Sequence, residues 1–141
     1  MAIGSGISQA QGTSEAKPAE IGKEVYLEHC ASCHIPIPPE VLPTQTWQEL
    51  LEKPQNHYGE NLKDIISITQ RLIWEYLRLY SRPLNPEEKT PMYIAQSRYF
   101  KALHPRVEVP KPVNHQSCNS CHIGVQNLDY RSLTPPWENS P

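Results

Sequence analysis

Two short stretches of the sequence, HCASCHIPIPP at residues 29–39 and HQSCNSCHIG at residues 115–124, contain the same C-x-x-C-H arrangement. These two units hold every cysteine of the 141-residue chain: Cys30, Cys33, Cys118 and Cys121. Two thiols at this spacing can each bond one vinyl group of a porphyrin, and the next histidine can bind its iron, so C-x-x-C-H is the attachment signature of a c-type haem. The sequence therefore predicts two covalent haems, with His34 and His122 as the proximal iron ligands.

Three other uses of the cysteines are considered: a zinc site made of all four, two disulfides, and a pair of thiol redox sites. The stretch between the two C-x-x-C pairs is far longer than in ordinary zinc knuckles. No βαβ pattern of the thioredoxin type accompanies either pair. None of the three uses gives a reason for a histidine after both pairs, and the haem interpretation is favoured.

An electron-transfer haem usually has both axial positions filled, whereas a catalytic or gas-binding haem leaves one open. The side chains that could take the second position are few: Met1, Met92, His29, His57, His104 and His115. We expect Met92 to pack in the core, His29 to be solvated and His115 to lie at the surface or at a propionate. His57 and His104 lie in loop-rich stretches, where a ring can reach a haem face.

The elements that must position these residues are predicted to be short helices joined by stiff loops, which gives an all-α fold wrapped around two haems. Helices are predicted from Pro18 to about Cys33, from Thr46 to Pro54 with Thr46 and Glu49 as a capping box, and over residues 62–80. Asn85-Pro86 and Thr90-Pro91 are further start signals, and a short helix is expected within residues 91–103.

The remaining segments are predicted to be irregular. Residues 35–43, IPIPPEVLP, are expected to be extended, because proline excludes helix there. Asn114 is expected to cap a short helix that carries the second C-x-x-C-H unit. The tail from Gly124 to Pro141 is expected to be mostly irregular, and no strand pair with a hairpin signal is found.

The composition indicates one domain with room for one modest core. The chain has 38% hydrophobic residues, a formal charge of −2 and 15 prolines against 6 glycines. Near neutrality argues against nucleic acid as a partner, and no apolar run is long enough to span a bilayer. Two haem plates would supply apolar core that the chain otherwise lacks.

The domain is expected to cover residues 18–141, after a flexible segment at residues 1–17 that is in part a cloning scar. That segment has no basic region followed by an apolar one, so it is not a signal peptide. Thioether attachment takes place on the exported side of a membrane, and we therefore expect a native signal that was removed or replaced. The expected compartment is a periplasm or a thylakoid lumen.

The run CASCHIPIPPEVLPTQTWQELLEKPQNHYGENL resembles the dihaem cytochrome c (DHC) family. In that family the first C-x-x-C-H is followed by a proline-rich loop ending in Leu-Pro, a tryptophan and a His-aromatic-Gly triplet. The corresponding residues are Leu42-Pro43, Trp47 and His57-Tyr58-Gly59. The helix over 62–80, the segment IAQSRYFKALHPRV, the second C-x-x-C-H and Asp129-Tyr130 also match, so that the resemblance covers about residues 24–132.

The resemblance implies two histidine ligands for each haem, with His57 and His104 as the distal ligands and His115 in reserve. Proximity in sequence suggests His34 with His57 and His122 with His104, and exchange of the two distal ligands stays open.

The function predicted is that of an exported dihaem c-type cytochrome, a monomer and not an enzyme, that carries single electrons between redox proteins. The resemblance adds a small monohaem oxygen-binding cytochrome as one partner. The rival interpretation is a haem enzyme or gas-binding protein with one open iron site, of a peroxidase-like or oxygen-handling kind.

Overall fold

The computed structural model describes residues 17–139, so the expected flexible segment lies, apart from Lys17, outside the described residues. The described part contains four α-helices, six single-turn 3₁₀-helices and one two-stranded sheet. In chain order the elements are α1 (Pro18–Cys30), α2 (Thr44–Glu52), α3 (Ser67–Tyr80), α4 (Arg98–Leu103), β1 (His122–Gly124) and β2 (Asp129–Leu133). The prediction of a mainly helical fold is confirmed. Within residues 17–139, no helix has the length and apolar character that crossing a bilayer requires.

The core forms where α1 crosses α3, and Gly22 lies at the crossing. A Cβ atom at Gly22 would overlap the carbonyl oxygen of Leu72 and lie 2.9 Å from Cβ of Tyr76, so the approach requires glycine. The core is mostly aliphatic and aromatic and comes from α1, α2, α3 and the loops beside them: Tyr26, Ile37, Val41, Leu42, Trp47, Ile73, Tyr76, Leu77 and Ile94.

The segment at residues 35–43, here called the proline loop, crosses this core. It is extended as predicted, except for a 3₁₀ turn at Pro39–Val41. Prolines leave such a segment without its own ladder of hydrogen bonds, so its buried carbonyls need outside donors. Side chains from four parts of the chain donate to these carbonyls: Tyr130 to Pro36 (2.7 Å), Tyr26 to Ile37 (2.7 Å), Trp47 to Pro39 (2.7 Å) and Ser97 to Val41.

Three helix starts differ from the prediction. α2 begins at Thr44, and Thr46 does not cap it but is buried in its first turn and donates to the carbonyl of Pro91 at 2.7 Å. α3 begins at Ser67, because the N–H of Leu62 donates to the carbonyl of Pro54 and residues 62–66 are irregular apart from a turn at Lys63 and Asp64. Asn85-Pro86 starts only a turn, whereas the short helix expected within 91–103 is α4.

The prediction of a tail without paired strands is wrong, because β1 and β2 pair antiparallel with His122 opposite Leu133 and Gly124 opposite Asp129. The connection contains a 3₁₀ turn and then Leu128 at φ +58°, and it lacks the Asn-Gly or Asp-Gly pair that announces a hairpin. The second C-x-x-C-H unit starts on a 3₁₀ turn at Ser117–Ser120, not on an α-helix.

Candidate haem sites

The first site joins the end of α1 to the loop that follows α2. α1 ends at Cys30, and the next turn brings His34 in front of His57, which follows a 3₁₀ turn. The two imidazole rings are nearly parallel at 11°, and their centroids are 6.1 Å apart. The point midway between the two centroids lies about 3 Å from each of them. This distance equals the radius of an imidazole ring plus a metal–nitrogen bond of about 2 Å. The distance between the two ring centroids therefore equals the distance at which two imidazoles bind one metal ion.

The second site has the same spacing but a different ring orientation. His104 ends α4 and His122 begins β1, and their ring centroids are 6.2 Å apart at an interplanar angle of 76°. Both rings line a cavity of about 370 Å³ that also contains Cys118 and Cys121. Most of the lining is apolar, as a porphyrin face requires, and includes Ile37, Val41, Ile94, Phe100, Val107, Val109, Val113 and Leu133.

One histidine of each pair is oriented by a backbone carbonyl. Nδ1 of His34 lies 2.8 Å from the carbonyl oxygen of Ile35, and Nδ1 of His104 lies 2.8 Å from that of Phe100. A carbonyl only accepts, so Nδ1 carries the proton and Nε2 keeps its lone pair for a metal. In the other histidine of each pair, His57 or His122, Nδ1 is buried without a hydrogen-bond partner among the described residues.

The electrostatic setting favours neutral imidazoles. Burial, then the neighbouring rings of His34 and His115, lower the pKa of His57. Burial likewise lowers the pKa of His122, against a smaller opposite effect of the Tyr130 carbonyl. Neutral imidazole is the form that binds a metal, so both residues are ready to act as ligands at ordinary pH.

The cysteines lie beside the histidine pairs as free thiols. Burial and the neighbouring Cys33 raise the pKa of Cys30 to about 12, and burial also raises the pKa of Cys118 and Cys121. All four cysteines lie in the described part of the chain, and no disulfide joins them there. In the same residues no group of three or more histidine, cysteine or acidic side chains converges, so the geometry does not support a shared zinc site. The thiols can instead add across vinyl groups as thioethers.

The remaining candidate ligands among the described residues are His115, His29 and Met92. His115 is exposed and stands edge-on to His34, with ring centroids 5.0 Å apart, so it belongs to the surroundings of the first site. His29 lies in the last turn of α1. Met92 is half-buried, and its backbone N–H donates to the side chain of Gln96.

The role of Tyr58 and Tyr130 in the sites was not predicted from the sequence, where both residues were used only as part of the family resemblance. The ring of Tyr58 lies 5.0 Å from that of His57, and the ring of Tyr130 lies 5.3 Å from that of His122. The valines that line the second cavity were also missed. A sequence signal for two of them is the alternation of apolar and charged residues in Val107-Glu108-Val109, where the structure half-buries both valines and exposes Glu108.

The sequence model of the family described as dihaem cytochrome c matches residues 26–130, most of the chain. The chain belongs to the dihaem cytochrome c family. The resemblance seen in the sequence is thereby confirmed, and with it the cofactors, which are two c-type haems with their irons. A haem electron-carrier role follows at the level of the family.

Solved structures with the same fold are themselves dihaem cytochromes. The chain is similar to DHC purified from Rhodobacter sphaeroides, with 25% identity over 74% of this chain and 93% of that one, and a TM-score of 0.57. A second structure, a diheme cytochrome c from the same organism, has 24% identity over the same shares of the two chains and a TM-score of 0.59. The diheme cytochrome type c of Shewanella baltica OS155 has 21% identity over 75% of this chain and 85% of that one, and a TM-score of 0.54. No curated protein matches the chain at a significant level.

Proposed function

We propose that this dihaem cytochrome c carries single electrons between redox proteins with both irons six-coordinate. His34 and His57 bind one iron, and His104 and His122 bind the other. The observation that supports this assignment best is the spacing of the two ring pairs, 6.1 and 6.2 Å between centroids. Two separate pairs at the same metal-binding spacing are hard to explain by packing alone.

Each bound haem supplies one iron that alternates between the ferric and the ferrous state. The chain's own part is to keep the ligands in place in both states, so that little rearrangement accompanies each transfer. The carbonyls of Ile35 and Phe100 hold His34 and His104 through Nδ1, and the apolar lining of the second cavity limits water. Two histidines favour a lower reduction potential than histidine with methionine.

The four cysteines attach the haems, Cys30 and Cys33 the first and Cys118 and Cys121 the second. Each thiol adds across one vinyl double bond, with sulfur bonded to one carbon and a proton taken up by the other, so no oxidant is needed. Attachment of this kind belongs to the exported side of a membrane, and we place the protein in a periplasm or a thylakoid lumen. The partners are redox proteins met through small, transient interfaces, and the protein acts as a monomer and without enzymatic activity.

The test is a carbon monoxide titration of the reduced protein, because carbon monoxide binds ferrous haem only where the sixth position is open or exchanges. We expect no rapid change in the spectrum of the unaltered protein, because carbon monoxide can bind only in the rare moments when a histidine ligand has left its iron. His57→Ala and His104→Ala should each allow one carbon monoxide per chain to bind while both haems stay attached. His29→Ala serves as the matched control and should leave the spectrum unchanged.

Two outcomes would contradict the assignment. If carbon monoxide bound at once to one haem of the unaltered protein, that iron would be open, and the oxygen-handling or peroxidase-like rival would be favoured. If His57→Ala stayed closed while His115→Ala opened a haem, His115 would be the ligand in place of His57.

A further inference from the structure

His57 lacks the hydrogen bond to a backbone carbonyl that orients the rings of His34 and His104. Its Nδ1 has no hydrogen-bond partner among the described residues, whereas His34 and His104 are held by carbonyls at 2.8 Å. His122 also lacks such a partner, but it directly follows Cys121, which a thioether would fix. His57 is distant in sequence from both C-x-x-C-H units, so something else must orient its ring.

The backbone at His57 forms a tight turn of an uncommon kind. The N–H and carbonyl of His57 bond to the carbonyl and N–H of Glu60 at 2.8 and 3.0 Å. Between them, Tyr58 has φ +52° and Gly59 has φ +90°. Positive φ at both central residues is the pattern of a type I′ turn, in which asparagine or glycine is preferred and a bulky side chain is an outlier. A tyrosine at this position needs contacts that compensate the backbone conformation.

The side chain of Tyr58 makes such contacts on both sides. Its ring stands edge-on to His57, with centroids 5.0 Å apart at 77°, and lies 5.4 Å from the ring of Tyr93. Its hydroxyl donates to the carbonyl of Met92, 34 residues away in sequence. The ring therefore connects the turn that carries His57 to the loop at residues 91–93.

That loop is itself fixed by hydrogen bonds on either side of the acceptor. The buried hydroxyl of Thr46 in α2 donates to the carbonyl of Pro91 at 2.7 Å. The side-chain oxygen of Gln96 accepts from the N–H groups of Met92 and Tyr93 at 2.9 and 3.2 Å. The Met92 carbonyl is thus a firm anchor for Tyr58.

We propose that Tyr58 is a positioning residue for His57, which it holds towards the first haem iron by its ring and by its hydrogen bond to Met92. This proposal rests on the proposed function, because it takes His57 as the distal ligand. Such support of a ligand by a residue that does not touch the metal is common in metal sites.

The test measures the rate at which carbon monoxide binds the reduced protein, which is proportional to the fraction of time that His57 is away from the iron. Tyr58→Phe keeps the ring and should raise this rate about fivefold, the factor expected from the loss of one ordinary hydrogen bond. Tyr58→Asn removes ring and hydroxyl but suits the positive φ, and it should raise the rate further. In both variants one carbon monoxide per chain should bind.

Tyr93→Phe is the matched control, the same change at the neighbouring exposed tyrosine, and should leave the rate unchanged. Rates at the unaltered level in both Tyr58 variants would overturn the proposal, as would binding of two carbon monoxide molecules per chain, which indicates general loosening. His57→Ala separates the two levels of inference. If it opens a haem while the Tyr58 variants do not, only the role of Tyr58 fails; if it opens none, the assignment of His57 fails.

Discussion

At the scale of single residues, the two histidine pairs are built from the same parts although their residues come from different elements. In each pair one ring is hydrogen-bonded to a nearby backbone carbonyl, and the other lies beside a tyrosine ring whose hydroxyl donates to a distant carbonyl. These tyrosines are Tyr58, which donates to Met92, and Tyr130, which donates to Pro36. Each pair is therefore held on one side by a local hydrogen bond to the backbone, and on the other by a tyrosine that is hydrogen-bonded to a distant segment.

Arg82 and Glu88 form a bidentate ion pair with hydrogen bonds of 2.7 and 2.8 Å. The pair is largely buried: 18% of the Arg82 side chain and 3% of the Glu88 side chain are exposed. The Arg82 guanidinium lowers the pKa of Glu88. Glu88→Gln should lower the free energy of unfolding at pH 7 by roughly 2 kcal/mol, because it leaves Arg82 without its counter-charge. Denaturant unfolding followed in the haem spectrum measures this.

The pH dependence of that loss has a definite sign. Because the pKa of Glu88 is lower in the folded than in the unfolded protein, its ionised carboxylate stabilises the fold. This stabilisation is complete above the unfolded-state pKa of about 4.3 and is lost as the pH falls through the lower folded-state pKa. The difference between Glu88→Gln and the unaltered protein should therefore shrink below about pH 4.3. Glu75→Gln removes the exposed pair with Arg78 and should cost under about 1 kcal/mol. An equal cost for both variants would contradict the prediction.

The sequence was most informative about those residues whose spacing is dictated by covalent chemistry. Two thiols and a histidine must be close in sequence to reach one porphyrin, so the C-x-x-C-H units could be found in the chain alone. His57 and His104 reach their partners only through the fold. They were selected because two iron positions needed ligands and few candidates were left, and the resemblance to a family agreed with that choice. Tyr58 could not have been selected from local preference, because tyrosine is disfavoured at its positive φ.

At the scale of elements, the proline loop depends on side chains from outside it. Tyr26 is 1% exposed and donates to the carbonyl of Ile37 at 2.7 Å. Tyr26→Phe should lower the free energy of unfolding by roughly 2 kcal/mol, because a buried carbonyl loses its partner. Denaturant unfolding of the haem-loaded protein measures it, with Tyr80→Phe on exposed α3 surface as the control. Equal stability of Tyr26→Phe and Tyr80→Phe would show that the hydrogen bond contributes nothing.

The elements themselves were predictable where apolar residues recur with the helical period, as in α1 and α3. The residues at which the helices begin were harder to predict, because tertiary hydrogen bonds determine them. The bond from Leu62 to Pro54 keeps residue 62 out of α3, and the Thr46 hydroxyl donates to Pro91 and does not cap α2. The strands β1 and β2 were missed because they are three and five residues long. Such short strands carry hardly any alternation to read.

At the scale of the whole molecule, fully buried residues are unevenly distributed. Of the described residues from 101 to 139, only Val125 is buried, whereas the core of nine residues lies between Tyr26 and Ile94. The C-terminal part instead surrounds the second cavity. Its packing therefore depends on the second haem, while α1, α2 and α3 can pack on one another.

This dependence predicts an uneven response to loss of the second haem. The double variant Cys118→Ala, Cys121→Ala should lose amide protection against hydrogen exchange in residues 104–139 and keep it in α1 and α3, because the cavity loses its filling. Cys30→Ala with Cys33→Ala is the matched control and should leave residues 104–139 protected. Equal loss of protection along the whole chain in the first variant would contradict the prediction.

The proline loop also determines how the two sites are related in space. It begins directly after His34 of the first site, and Ile37, Pro38, Glu40 and Val41 within it line the second. A segment with fixed φ angles at its prolines and hydrogen bonds to four parts of the fold has little freedom to stretch. The separation of the two irons should accordingly be constant. Electron exchange between the two haems should then need no hinge motion, because the same separation is kept in every cycle.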